Sequence, residues 1–143
     1  MNGKSLVKEP ESGQLSAFFA ILVVPLVLVV GLVADGGGVL AAHQRAISDA
    51  FEAARAGAQE LDVSALRSTG TVTVDPTAAR EAALRYLSKL GETGVVSVDG
   101  DAVRVTVSFR HPLAILSAVG VGPVAISGTA TATATQGVTG APA

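Results

Sequence analysis

The chain has no cysteine and no tryptophan, and only one tyrosine and four phenylalanines. Without cysteine there is no disulfide, no thiolate nucleophile and no zinc–sulfur site. So few aromatics leave little on which nucleic-acid bases could stack. Ten Lys and Arg against twelve Asp and Glu give a net charge of −2, with no basic surface for a phosphate backbone. Imidazole is confined to His43 and His111. Charged residues are also scarce, at 15% of 143, and the mean hydropathy of +0.52 is high for a soluble domain.

One segment accounts for much of that skew. From Leu15 to Ala34 there is no charged side chain. As a helix, about 20 residues rising ~1.5 Å each cover ~30 Å, the thickness of a bilayer's hydrocarbon core. A secretory signal has a shorter apolar core and ends at a small-x-small site. Here the candidate sites near Ala34 and Ala41–Ala42 carry Leu or Val at the outer position, which favours a retained anchor. Lys4 and Lys8 precede the span, Asp35 follows it, and the next basic residue is Arg45. The positive-inside bias therefore predicts a single-pass chain with a cytoplasmic N-terminus and an extracytoplasmic body.

Beyond the span, apolar and small residues recur at helical spacing from Val39 to Leu61. Ala42, Ala46, Ala50, Ala54, Gly57 and Ala58 form one face of small side chains. Two uses fit it: packing on the chain's own body, or close bundling with helices of neighbouring copies. Glu52 and Arg55 are spaced to pair on the surface. Pro25 predicts a kink or local break inside the span. Gly36, Gly37 and Gly38 at the membrane exit beside Asp35 predict a weak joint between anchor and stalk, since each glycine costs ~1 kcal/mol in a helix.

The remaining residues read as a small α+β head. Thr71–Val74 alternates like a short strand. Asp75-Pro76 is a cap and first-turn pair for a helix ending at Gly91, with Glu81 and Arg85 at pairing distance. Val95–Val98 and Asp101–Phe109 flank Asp99-Gly100 as a hairpin, with Val96 opposite Val103. Val96, Val98, Val103, Val105, Val107 and Phe109 then share a face that needs a helix over it. Leu113–Val119 is a short apolar helix or turn, and a last strand runs from Val124 to about Thr135. The expected organisation is a leader (1–13), a span and amphipathic stalk (14–61, span 15–34), an α+β head (62–136) and a flexible tail (137–143).

Certain residues add a resemblance. Ser12-Gly13 precedes the apolar run, Gly31-Leu-Val-Ala-Asp35-Gly-Gly closes it, and Gln44, Asp49-Ala50 and Ala53-Ala-Arg-Ala-Gly-Ala58 follow. Over Gly13 to about Leu61 this resembles the TadE/TadG-like proteins of the tight-adherence (Tad) pilus systems, small pilin-like components found in bacteria. The resemblance implies a pilin-like fold and a non-enzymatic role in assembling, priming or forming an adhesion pilus. Its implied partners are the membrane, other pilin or pilin-like subunits, a prepilin peptidase and the inner-membrane assembly platform. The implied peptidase cut falls between Gly13 and Gln14. Where such pilins carry a glutamate five residues after the cut, this chain has Phe18, so an amine buried in a fibre would lack its carboxylate.

Other chemistry finds weaker footing. No nucleophile elbow and no His-Glu-x-x-His spacing occurs. Gly36–Gly38 lacks the following Gly-Lys-Ser/Thr of a phosphate loop, and Asp99-Gly100-Asp101 reads as a turn rather than a calcium loop. His43 reads as a stalk surface residue, His111 as a turn residue, and Asp35 as a helix-exit residue. No catalytic residue, metal, cofactor, nucleic acid or small-molecule substrate is expected. The competing reading is a single-pass or secreted small binding module unrelated to pili.

Overall fold

A computed structural model describes residues 12–135, with side chains from residue 16. The expected leader up to residue 11 and the 137–143 tail lie outside the described residues. The first element, α1, runs from Ser12 to Ala58, and its 47 residues make it about 70 Å long. Neither expected interruption is seen. The helix continues through Pro25 and through Gly36, Gly37 and Gly38. At Pro25 only one helical amide is forfeited, and a long apolar helix absorbs that loss. At the glycines, contacts with the head on either side of Gly36-Gly37 hold the helical turn.

After α1 come α2 (Val63–Thr69), α3 (Pro76–Lys89), β1 (Gly94–Asp99), β2 (Ala102–His111) and β3 (Val124–Thr133). A short 3-10 turn, Leu116–Val119, lies in the β2–β3 connection. The expected α3 forms with Asp75 as its cap, the carboxylate accepting from the amides of Thr77 and Ala78 at 2.9 and 3.1 Å. Glu81 and Arg85 pair at 3.5 Å. Glu52 and Arg55 do not pair among the described residues; Arg45 instead reaches Asp49 at 3.4 Å and Glu92 at 3.6 Å. The seven residues of α2 were not anticipated, because none is buried and no apolar period marks them. Asp62 caps it, its carboxylate accepting from the Ser64 hydroxyl and from the amides of Ser64 and Ala65. The Ser64 hydroxyl, then the amides, hold the Asp62 carboxyl below its usual range.

Thr71–Val74 is not a strand. Only a single bridge joins Val74 to Leu61, while the Val74 amide bonds the Gly100 carbonyl at 3.1 Å. The segment is thus pinned at Val74 without a ladder. The sheet is antiparallel in the order β1-β2-β3. In the hairpin, Val96 faces Val105 and Val98 faces Val103, so the Val96–Val103 pairing expected from an Asp99-Gly100 turn is replaced by a turn one residue later. The reason is local. Placing Gly100 first in the turn lets glycine alone take positive φ, at 62°, and no non-glycine among the described residues does so. Because the paired register changes by an even step, the valine face survives intact: Val103, Val105 and Val107 are fully buried.

That face is covered by α1 and α3. Ala50, Ala53, Ala54 and Ala58 of α1 and Ala79, Ala83 and Leu87 of α3 meet Val96, Val103, Val105 and Val107. Nearer the span, Ala42 and Ala46 meet Ile126, with Val39 and Phe109 beside them. α1 presents small residues to branched ones on β1 and β2 and to small ones on β3, so the surfaces meet at short range.

Candidate functional site

The small-residue face of α1 is the first expected site the structure places. Ala46, Ala50 and Ala54 are fully buried, Ala42 and Ala58 nearly so, and all of them lie under the chain's own head. Of the two uses expected for this face, the structure shows packing within the chain. The smallness has its own explanation. A Cβ added at Gly128 of β3 would lie 2.4 Å from the backbone of Ala46 and Ile47, and one at Gly57 would lie 2.9 Å from the Ala79 carbonyl oxygen. Helix and sheet approach so closely that larger side chains on either would force them apart.

The second is the apolar run. Between Ser16 and Val30 every residue of α1 is exposed, with Ile21 at 74% and Phe18 and Phe19 at 64%. The helix is long and apolar enough to cross a membrane. An apolar surface on all sides of a helix requires an apolar surround, whether lipid or other helices. Gly13 and Gln14 belong to α1 by backbone, but their side chains lie outside the described residues. Phe18 stands four residues after Gln14 on this bare half.

Between the two halves sits Asp35. Expected as a helix-exit residue, it lies in mid-helix and is buried, with 6% exposure. Its carboxylate gathers three successive amides of the β2–β3 connection: Ala114 at 2.8 Å, Ile115 at 3.0 and 3.2 Å, and Leu116 at 2.7 Å. Bonds of this kind to an ionised acceptor are short and strong. The Leu116 amide, followed by those of Ala114 and Ile115 and by the charge of His111, outweighs desolvation and holds the Asp35 carboxyl below its usual range. One turn toward the span, Gly31 makes room for the same connection: a Cβ there would lie 2.6 Å from Cγ2 of Ile115. One turn the other way, a Cβ on Gly38 would come 3.3 Å from Nε2 of His111. Gly36 and Gly37 face open space. Asp35 is thus a clamp between parts of the chain 79 to 81 residues apart. The signal for it in the sequence is a lone carboxylate ending a charge-free run, but its partners are backbone amides and carry no signature.

The Arg45–Asp49–Glu92 cluster ties the α3–β1 loop to the stalk. The Arg45 head is open to water, while Glu92 is 10% exposed in its side chain and its Oε2 has no hydrogen-bond partner among the described residues. Burial first, and then the nearby Asp49 charge, push the Glu92 carboxyl up against the opposing pull of Arg45. His43 is exposed on the stalk, and His111 ends β2 against α1. Asp99, Gly100 and Asp101 form the hairpin turn. Among the described residues, no group of three or more His, Cys, Asp or Glu is arranged to hold a metal ion. No family model, curated protein or solved structure matches the chain.

Proposed function

We propose that this chain is a membrane-anchored, non-enzymatic subunit of pilin-like build, serving a Tad-type adhesion pilus by packing its helix among other subunits. The observation that carries the reading is the division of α1: Ala17–Val30 is exposed and apolar on every side, while Gly31–Ala58 lies along the head. A helix of that design stands in lipid and passes without rebuilding into a fibre of similar helices, since both surrounds are apolar. With the alanine face occupied inside the chain, contact with neighbouring subunits falls to the bare half. The orientation is N-terminus in the cytoplasm and head outside, from Lys4 and Lys8 before the span. Processing is placed between Gly13 and Gln14, on the residues that carry the Tad resemblance.

Two measurements test this. The intact mass of protein recovered from cells is expected to lack residues 1–13, and a mass that includes Met1–Gly13 refutes the processing. Single cysteines at Val23 or Val27, in a chain that has none of its own, are expected to cross-link copies in sheared surface fibres. The alternative, an isolated membrane-anchored or secreted binding module, draws on the alanine face being internal. It predicts a monomer with no such cross-links and no chain in the sheared fraction.

A further inference from the structure

We infer that the β2–β3 connection, Pro112–Pro123, is a second membrane contact: an apolar foot lying at the boundary of headgroups and acyl chains beside the span. The inference rests on the reading that the apolar run of α1 stands in a bilayer. Position is the first argument. Ile115 and Leu116 pack on Gly31, and Asp35 clamps the amides that precede and follow Ile115. Gly31 to Ala34 is the last turn of the charge-free run, about 5 Å of helix. Whatever depth that turn has, the connection shares it, and about 5–10 Å is the depth at which interfacial segments bury their apolar face.

Chemistry is the second argument. No Asp, Glu, Lys or Arg occurs after Arg110 in the sequence, and His111 lies before the connection at the end of β2. The one polar side chain in the connection is Ser117, whose hydroxyl donates to the Ala114 carbonyl at 3.1 Å. Val119 and Val121 are 60% and 42% exposed, and Val124 just beyond is 37% exposed. Exposed apolar side chains occur elsewhere too, on the stalk at Leu40 and Phe51 and on the head at Val63 and Val95, but this connection is the one packed on the last turn of the charge-free run.

The backbone is the third. A loop can enter an apolar medium only if its amides are satisfied within the protein. Asp35 takes the amides of Ala114, Ile115 and Leu116. Ala118 donates to the Ile115 carbonyl, Gly120 to Ser117 and Val121 to Leu116, at 3.1, 3.0 and 3.1 Å. Pro112 and Pro123 have no amide to satisfy. Most amides of the connection are thus satisfied within the protein, as contact with lipid requires.

The test uses the full-length protein in lipid vesicles, with one cysteine at a time carrying an environment-sensitive fluorophore. Val119→Cys and Val121→Cys probe the foot, and Val27→Cys probes the span. Asp99→Cys probes the hairpin turn, which lies at the other end of β2, about 30 Å away. Quenchers are fixed either near the lipid headgroup or deep in the acyl chain, and iodide serves as the aqueous quencher. Expected is loss of fluorescence at positions 119 and 121 with the shallow lipid quencher, at position 27 with the deep one, and at position 99 with iodide alone. If positions 119 and 121 respond only to iodide while position 27 responds to lipid, the foot is refuted and the span stands. If position 27 ignores the lipid quenchers, the span reading falls and takes the foot with it. Protection of position 119 from all quenchers, with disulfide-linked dimers of Val119→Cys, assigns the patch to a second copy and overturns the proposal.

Discussion

The two halves of α1 are one uninterrupted helix with opposite surroundings. From Ala17 to Val30 it is built mostly of large apolar side chains that no other described residue buries; from Gly31 to Ala58 its inward face is built mainly of alanine and glycine and the head lies over it. Size, more than polarity, separates them. Large side chains maximise contact with a fluid, deformable surround, whereas small ones let a rigid sheet come within backbone distance. The difference teaches that a stripe of alanines on a long stalk does not by itself announce a neighbouring helix. Here the partner is β3, with Gly128 seated against the backbone of Ala46 and Ile47.

This contrast can be broken by substitution. The largest effect is expected for Gly128→Val, whose side chain has no room against α1; a loss of about 3 kcal/mol in stability of the detergent-solubilised chain is predicted, read by chemical denaturation. Ala50→Leu, in the covered half, should cost about 1–3 kcal/mol. Val27→Leu, in the bare half, should change head stability by less than about 0.5 kcal/mol. Equal losses from these two substitutions would abolish the distinction. Asp35→Ala tests the boundary between the halves. It leaves the amides of Ala114, Ile115 and Leu116 without their acceptor, so their hydrogen exchange should accelerate while that of β1 is unchanged.

Two smaller effects sharpen the comparison. Gly36 and Gly37 sit in helical backbone with open space where a side chain would go, so replacing either with alanine should raise stability by up to ~1 kcal/mol. A loss instead would show that the joint must bend. The smallest effect concerns Glu92, whose carboxyl is raised above the ordinary 4.5. A raised acid favours its protonated form in the folded state, so its stabilisation is complete below 4.5 and is lost as pH rises through the raised value. Asp35 acts in the opposite sense: its contribution is present above 3.8 and is lost as pH falls through the lowered value. Glu92→Gln should flatten the decline above 4.5 and leave the acid limb in place, as read from melting curves across pH.

Local chemistry made much of this fold legible in the sequence. Asp75-Pro76, the valine alternation in β1 and β2, and the Thr/Ala alternation of β3 each determine an element through neighbours a few residues away. The apolar run announced itself by length. What was hidden depends on distant pairing. No spacing rule told whether Ala46 faces a helix or a sheet, because Gly128 is the residue that decides it. Asp35 reads as a membrane-exit residue until its acceptor role is seen, for amides look alike in every sequence. The hairpin turn was misplaced by one residue because Asp99-Gly100 and Gly100-Asp101 suit different mirror-image turns, and only the conformation of Gly100 distinguishes them.

The covering of α1 by β3 also orders events during biosynthesis. The stalk leaves the ribosome long before the strand that shelters it, an interval on the order of 10 seconds at ordinary elongation speeds. Throughout that time its alanine stripe is open to any nascent neighbour. Methyl groups are poorly adhesive compared with leucine, since each hides little area. The composition that fits the finished sheet therefore also keeps the unfinished chain from sticking to the wrong surface.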